Sequence, residues 1–359
     1  MHIKRAALFL LFLPTVSSAQ KIIGGPFVTM QVRGTATITW IVQDSEATVQ
    51  QSGSTTPAKV YPALHTEKTT LTGLAPNSRY DYTVANGALK GSFKTPPAAN
   101  APDTPVRFIV YGDTRTRHDV HRRVMEQLVK AGAPDFVIDN GDQVENGYDA
   151  ALWPIFFDIE RELLRQTVYF PALGNHERNS SYYFELLQQR SGYYSFDWGN
   201  MHFSILNTDK PAFSTLAKER DALWDEEVRW LEQDLLEHQD ATWRFVGGHH
   251  PPMSAVARRQ EGNPHITALM PLFEKYKVQA TFWGHDHNYQ HYLQKGIHYF
   301  TSGGGGAPLY DVDKPPAGIT QKVASVENFI QIEVHGSAIH IKVTAIDGST
   351  LDEVDLKAK

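Results

Sequence analysis

The stretch RFIVYGD (residues 107–113) is an apolar, strand-like run that ends abruptly at Gly112 and Asp113. Later runs end in the same manner, at short polar clusters of Asp, Asn and His: DFVIDNGD (135–142), TVYFPALGNH (167–176), RFVGGHH (244–250) and ATFWGHDH (280–287). In open α/β sheets, ligands bind outside the carboxyl ends of the strands. The convergence of these strand ends on one rim predicts a site rich in oxygen and nitrogen ligands.

The residue types in these clusters are those that hold transition metals. The candidate ligands carry carboxylate, amide or imidazole groups: Asp113, Asp142, Asn175, His249, His285 and His287. This mixture suits Mn, Fe or Zn better than Ca, which prefers all-oxygen shells. The ligands suffice for two divalent ions about 3.5–4 Å apart. Each cluster alone is also typical of a turn or a helix cap, so the dinuclear prediction depends on their joint occurrence.

Glycine precedes four of the candidate ligands, namely Asp113, Asp142, Asn175 and His285. A glycine lets the backbone turn sharply and brings the next side chain over the edge of the sheet. The His-x-His spacing of His285 and His287 also puts both rings on one face of an extended segment. Both features favour a metal site over isolated turns.

The composition limits the classes of partner. The chain has 359 residues, no Cys and a net charge of −6. This length predicts two domains, and the lack of Cys excludes disulfides. Because the charge provides no general basic field, nucleic acid is not expected as a charge-driven partner. A phosphorylated small molecule, bound locally by divalent ions, is the expected substrate.

The first segment, MHIKRAALFLLFLPTVSSAQ (1–20), has a basic start, an apolar stretch and then small residues before Gln20. This order is typical of a secretory signal peptide over 1–19, so a secreted or periplasmic protein is expected. The alternative is a membrane anchor, but the apolar run is shorter than the roughly 20 residues that span a bilayer. After cleavage, no membrane anchor is expected.

Residues 21–97 are predicted to be all-β, because short alternating runs are separated by turn residues. The stretch LTGLAPNSRYDYTV (71–84) resembles the tyrosine-corner segment of fibronectin type III sandwiches, with Trp40 as the core Trp. The alternative is a generic β-sandwich. In either case this sandwich is a candidate surface for contact with a protein or polymer.

A Pro- and Ala-rich linker is predicted over 98–105, before a second domain over 106–359. In that domain, strand-like runs alternate with segments of helical spacing, which is an α/β layout. The helical segments are HRRVMEQLVKAG (121–132), LWPIFFDIERELL (152–164) and WDEEVRWLEQDLLEHQ (224–239). Near the end, two alternating strands flank Gly336. The run SGGGG (302–306) is predicted to be a tight loop near the site, the alternative being a flexible linker.

The polar clusters, in their order along the chain, resemble the blocks of calcineurin-like metallophosphoesterases: GDTR (112–115), GDQVENG (141–147), GNHE (174–177), GGHHPP (247–252) and GHDHNY (284–289). Together with the fibronectin-like domain, they make the chain similar to the purple acid phosphatase branch. The resemblance implies an α/β (α+β) fold of four layers, in which two mixed sheets pack face to face with helices outside.

The resemblance also implies a role for each residue. It assigns Asp113 and His287 to the first metal, Asn175, His249 and His285 to the second, and Asp142 to both. Two cations would neutralise phosphate charge and lower the pKa of a bound water that attacks phosphorus. His176 would lie beside the phosphate and assist the leaving oxygen as a proton donor.

The chain departs from the family pattern at the substrate side. Arg115 stands where many members have His, and Glu145 stands where purple acid phosphatases have the Tyr whose bond to ferric iron gives their colour. Arg258 and Arg259 occupy the places of substrate-side His residues. Glu145 is a candidate ligand and the Arg residues are candidate phosphate contacts. His250, beside His249, is a further candidate.

These observations predict an exported dinuclear-metal phosphoric-ester hydrolase, and within that class a phosphomonoesterase. The alternative enzyme is a phosphodiesterase or a nucleotide-directed phosphoesterase, because the metal chemistry is similar and the pocket loops decide. The alternative from another class is a non-catalytic surface-binding protein with a metal-stabilised scaffold.

Overall fold

The structure is a computed structural model that describes residues 21–44, 64–260 and 263–358. The predicted signal peptide over 1–19 lies outside these residues. None of the helices in the described ranges is long and apolar enough to cross a membrane.

The secondary structure alternates as predicted. The strands in chain order are β1 (Lys21–Val32), β2 (Thr35–Gln43), β3 (Leu64–Leu71), β4 (Arg79–Val84), β5 (Leu89–Lys94), β6 (Val106–Tyr111), β7 (Phe136–Asp139), β8 (Val168–Pro171), β9 (Tyr194–Trp198), β10 (Met201–Ile205), β11 (Trp243–Gly247), β12 (Ala280–Trp283), β13 (Tyr289–Gln294), β14 (Ile297–Ser302), β15 (Thr320–Ala324), β16 (Asn328–His335), β17 (Ala338–Ala345) and β18 (Thr350–Lys357). The helices are α1 (His118–Lys130), α2 (Leu152–Leu164), α3 (Ser181–Leu186), α4 (Ala217–Glu237), α5 (Pro264–Thr267) and α6 (Met270–Lys275). The three helices predicted from apolar spacing are therefore confirmed as α1, α2 and α4.

Most of these strands form two mixed sheets in the described part of the chain. The first sheet has the order β18-β17-β16-β6-β7-β8-β1-β2-β3, and the second has the order β15-β13-β14-β12-β11-β10-β9. Strands β6, β7 and β8 run parallel in the first sheet, as do β10, β11, β12 and β14 in the second. The hairpin predicted around Gly336 is confirmed as β16 and β17.

The two sheets pack face to face through aromatic side chains. Phe108 and Phe136 of the first sheet contact Phe203 of the second, with ring centroids 5.4 and 5.5 Å apart. The outer face of the first sheet is covered by α1 and α2, and that of the second by α4 and α6. The predicted four-layer fold of two mixed sheets flanked by helices is thus confirmed.

The N-terminal strands continue the first sheet. Strand β1 runs parallel to β8 through the pairing of Val28 with Val168, and β2 and β3 extend the sheet beyond it. In the segment predicted as a tyrosine corner, the Ala75 amide donates a hydrogen bond of 2.9 Å to the Tyr80 hydroxyl. Because residues 45–63 lie outside the described residues, a separate fibronectin type III sandwich over 21–97 stays a prediction.

Candidate active site

The predicted site residues follow the carboxyl ends of strands from both sheets. Three of them, Asp113, Asp142 and His285, have positive φ angles of 58°, 57° and 68°. Non-glycine residues rarely adopt this left-handed conformation, and where they do they cluster at functional sites. At Gly174, a Cβ atom would lie 2.2 Å from the Asp142 amide nitrogen, so only glycine allows the two loops to approach this closely.

One group of candidate ligands is centred on Asn175. Its Oδ1 lies 3.0 Å from His249 Nε2 and 2.9 Å from His285 Nδ1. These two ring nitrogens are 3.2 Å apart, and His249 Nε2 is 3.3 Å from Asp142 Oδ1. The structure therefore brings together the residues that the resemblance assigns to the second metal.

A second group is centred on Asp113. The ligand atoms of Asp113, Asp142 and His287 all lie within 4.8 Å of one another, and all three residues are buried. His287 Nε2 is 3.4 Å from Asp113 Oδ1. These are the residues assigned to the first metal, and Asp142 is the residue that the two groups share.

The electrostatics of both groups fit a cation. Burial alone would raise the pKa of Asp142, but His249 outweighs it and lowers that pKa below its usual value. Burial opposes protonation of His249, yet the carboxylates of Asp142 and Asp113 prevail and raise its pKa to about 10. Asp113 Oδ1 is buried without a hydrogen-bond partner. The carboxylates thus require positive charge here, which divalent ions would supply.

The surroundings of His285 and His250 favour the neutral imidazole, which is the form that binds a metal. Burial, and then the neighbouring rings of His250 and His249, lower the pKa of His285 well below its usual value. Burial, and then the neighbouring His249, likewise lower the pKa of His250. His250 packs 4.1 Å from the His285 ring, and its Nδ1 lies 3.0 Å from the Thr208 hydroxyl. His250 thus packs beside the ligand group centred on Asn175, and its own role as a ligand stays a prediction.

Backbone carbonyls orient two of the histidines. His249 Nδ1 lies 2.8 Å from the Asn140 carbonyl oxygen, and His287 Nδ1 lies 2.7 Å from that of Pro308. Because a ring N–H that donates to a carbonyl leaves the opposite nitrogen free, Nε2 of each ring faces the site. Metal-binding histidines commonly have this arrangement.

His176 lies at the rim of the site. Its Nδ1 is 2.7 Å from the Glu145 carbonyl oxygen, and its Nε2 is 3.9 Å from Asp142 Oδ2. Its side chain is 20% exposed, so substrate can reach it. This position agrees with the predicted place beside the phosphate, whereas the acid role itself stays a prediction.

Arg115 and Glu145 form an ion pair beside the ligand group centred on Asp113. Arg115 Nε lies 3.3 Å from Asp142 Oδ2, its Nη2 lies 3.4 Å from His287 Nε2, and its Nη1 contacts the Glu145 carboxylate. Glu145 therefore faces the guanidinium, although its carboxylate remains next to the site. Arg115 is well placed to contact phosphate, whereas metal binding by Glu145 stays untested.

The other two arginines contact the loop that carries His285 and His287. Arg259 Nη1 donates to the His285 carbonyl oxygen at 2.9 Å and pairs with Asp286 at 3.0 Å. Arg258 lies over the Tyr310 ring, which also stacks with His287. These contacts fix the loop, and phosphate binding by either arginine stays a prediction.

The glycine-rich run after β14 is a tight loop at the site, as predicted. Gly305 N donates to the Gly112 carbonyl oxygen at 2.9 Å. A Cβ atom at Gly303 would lie 2.9 Å from Asp113 Oδ2. The alternative of a flexible linker was wrong.

Glu177 is a supporting residue that the sequence reasoning missed. Its buried carboxylate accepts hydrogen bonds from the amides of Asp142 (2.9 Å), Gly174 (2.9 Å) and Val144 (3.2 Å). Burial, and then the charge of Asp142, raise its pKa to about 8. It joins the loops that carry Asp142 and Asn175. The signal was present as the last letter of GNHE.

We predict that Glu177→Gln lowers metal affinity or turnover by about 10–100-fold, the usual effect of losing a supporting group. The carboxamide keeps the size of the side chain but turns an N–H donor toward backbone amides that need an acceptor. Metal titration and steady-state rates measure the effect. Glu185→Gln, at an exposed position on α3, is the matched control. Wild-type values in Glu177→Gln would contradict this role.

The comparisons with known proteins agree with this geometry. The family model described as calcineurin-like phosphoesterase matches residues 106–289, which include both ligand groups. The chain belongs to the calcineurin-like phosphoesterase family. This family assignment confirms the resemblance drawn from the strand-end motifs.

Relatives within this phosphoesterase family include acid phosphatases. The chain is 28% identical to purple acid phosphatase 21 of Arabidopsis thaliana, over 65% of this chain and 56% of that protein. It is 25% identical to acid phosphatase type 7 of Mus musculus, over 63% of this chain and 57% of that protein. The chain thus spans little more than half the length of these curated relatives.

Solved structures share the fold of this phosphoesterase chain. A purple acid phosphatase from yellow lupin (Lupinus luteus) seeds superposes with a TM-score of 0.73 at 16% identity, covering 92% of this chain and 74% of that one. The structure of PhoD superposes with a TM-score of 0.65 at 11% identity, covering 96% of this chain and 90% of that one. At such identities the likeness establishes the fold.

Proposed function

We propose that this chain is a hydrolase of phosphoric monoesters that works with two divalent ions, of Mn, Fe or Zn. The observation that carries the proposal is that one buried carboxylate, that of Asp142, belongs to both groups of ligands. Oδ1 lies 3.3 Å from His249 in one group, and the carboxylate lies within 4.8 Å of Asp113 and His287 in the other. The acid phosphatases among its relatives support the choice of monoesters.

When bound, two divalent ions would neutralise phosphate charge and supply a water of lowered pKa in line with phosphorus. Residues of the chain next to the ions would act on the substrate. His176 keeps its Nδ1–H on the Glu145 carbonyl, so in the imidazolium form Nε2 is the nitrogen that gives its proton to the leaving oxygen and leaves the ring neutral. Arg115 provides a planar guanidinium that matches two phosphate oxygens.

The test is a comparison of rates on p-nitrophenyl phosphate and on its bis ester, with the chain loaded with Mn, Fe or Zn. We expect the monoester to be hydrolysed faster. Faster hydrolysis of the bis ester would replace this proposal with a phosphodiesterase. No turnover of either substrate by the metal-loaded chain would favour a non-catalytic binding protein on a metal-stabilised scaffold.

We further predict a colourless protein. Glu145 stands where the purple enzymes have Tyr, and a carboxylate lacks the charge-transfer band of a phenolate. The tyrosine nearest to Glu145 in sequence, Tyr148, is 58% exposed, and its hydroxyl donates to the Arg178 carbonyl oxygen at 3.1 Å. The visible spectrum of iron-loaded, air-oxidised protein should therefore lack an intense violet band. A violet band that disappears in Tyr148→Phe would contradict this assignment of the first metal's ligands.

We also propose that the chain is exported, on the basis of the signal-like segment over 1–19. In that case the mature N-terminus is Gln20, which N-terminal sequencing of protein from the periplasm or medium would detect. Recovery of the full-length chain in the cytoplasm would contradict export. After export, the N-terminal β region is the surface that we propose for contact with a protein or polymer.

A further inference from the structure

A second cluster of metal-binding residue types lies away from the strand-end site. It consists of Asp197 on β9, His202 on β10 and His238 directly after α4. One ligand atom from each lies within 4.8 Å of the other two. His202 stands near the start of β10, opposite Asp197 in the antiparallel pair, whereas the catalytic loops follow the carboxyl ends of the parallel strands. No residue of this cluster takes part in the proposed hydrolysis.

Asp234 orients both histidines. Its Oδ2 lies 2.9 Å from His202 Nε2, and its backbone carbonyl oxygen lies 2.7 Å from His238 Nδ1. The carboxylate is itself held by the hydroxyls of Ser195 and Ser204, each at 2.7 Å. A carboxylate or carbonyl that accepts from one ring nitrogen fixes the ring and leaves the other nitrogen free, as in most metal-binding histidines.

The rings of His202 and His238 lie against each other. The imidazoles stack with centroids 3.7 Å apart and planes 9° apart. Burial opposes protonation of His202, but the hydrogen-bonded carboxylates of Asp197 and Asp234 prevail and raise its pKa, so a bound ion would displace a proton from this ring. His202 Nδ1 is already 2.8 Å from Asp197 Oδ1, so a carboxylate stands beside an imidazole nitrogen that can act as a ligand.

The cluster opens onto a cavity of about 150 Å³. Met30, Arg33 and Pro96 also line this cavity. Arg33 is exposed, so its charged group can turn toward solvent. The cavity has room for an ion together with a water as a further ligand, and the side chain of His238 on its lining is 31% exposed.

We propose that Asp197, His202 and His238 bind one divalent transition metal of the Zn²⁺ class. Two imidazoles and a carboxylate are a common three-residue set for zinc, with the fourth position left to water. The three ligand atoms lie within 4.8 Å of one another, and to reach a bonding distance of about 2.0–2.1 Å from one ion His238 would turn out of its stack with His202. The ion would join the β9–β10 hairpin to the end of α4, beside the N-terminal strand β1.

Elemental analysis of the full chain equilibrated with Zn²⁺ tests this site. We expect His238→Gln and Asp197→Asn each to bind one ion fewer per chain than the wild type, with unchanged rates on p-nitrophenyl phosphate. His340→Gln is the control, because His340 is an exposed histidine that is also paired with an aspartate, Asp355, at 2.9 Å. This control should keep the wild-type ion count.

Substitution with Co²⁺ gives a second readout. The wild-type spectrum minus that of His238→Gln should contain the visible bands of a cobalt site with nitrogen and oxygen ligands. Equal ion counts in the wild type and both variants, or a featureless difference spectrum, would mean that His202 only forms ion pairs with Asp197 and Asp234. Because the test measures a difference in ion count, its outcome does not depend on how many ions the strand-end site holds.

Discussion

Replacement of Asp142 with Asn is expected to abolish tight binding of both catalytic ions and to lower activity by about a thousandfold or more, as when a metal that generates the nucleophile is lost. Asp142 is the residue shared by both ligand groups, so one substitution removes a charge from each. In the wild type, the His176 amide donates a hydrogen bond of 3.0 Å to Asp142 Oδ1. The carboxamide of Asn keeps an oxygen that can accept this bond. The loop should therefore fold as in the wild type.

The measurement is the ion count of Asp142→Asn relative to the wild type, together with the rate on p-nitrophenyl phosphate. Asp149→Asn is the control, since Asp149 is an exposed residue in the same loop and Asn preserves its capping ability. A wild-type ion count in Asp142→Asn would show that Asp142 does not bridge two ions.

The second large effect is expected at His176. His176→Ala should keep the wild-type ion count but lose about 10²–10⁴ in turnover, which is the usual contribution of a general acid. The loss should shrink along a series of aryl phosphates as the leaving group improves, because a good leaving group needs less protonation. His335→Ala, at an exposed position at the end of β16, is the control.

Equal losses across the leaving-group series would exclude proton donation by His176 and leave it a residue that positions phosphate. A loss of bound ions in His176→Ala would instead make it part of the metal site.

The ends of the central strands were predictable because their signal is local. An apolar run followed by Gly-Asp or Gly-His marks both a buried strand and the turn that carries its polar side chain over the sheet edge. For that reason the sequence alone indicated the residues that the structure brings together around Asp113 and around Asn175. The three helices were predictable for the same reason, since the spacing of apolar residues within each segment defines its buried face.

The features that sequence reasoning missed depend on contacts between distant segments. Strand β1 joins the first sheet beside β8, and a strand pairing across 140 residues, Val28 with Val168, leaves no local pattern. Glu177 was overlooked because a buried carboxylate that accepts backbone amides resembles an ordinary loop residue in sequence. The ion pair of Arg115 with Asp142 likewise depends on the approach of two loops.

The central claim is that two ions share Asp142, and anomalous diffraction from crystals of the Mn- or Zn-loaded protein tests it most directly. We predict two anomalous peaks about 3.5–4 Å apart at the strand-end site. One should lie beside Asp113 and His287, the other beside Asn175, His249 and His285, with the Asp142 carboxylate between them. A single peak, with the Arg115 guanidinium still bound to Asp142 where the second should be, would contradict the dinuclear account.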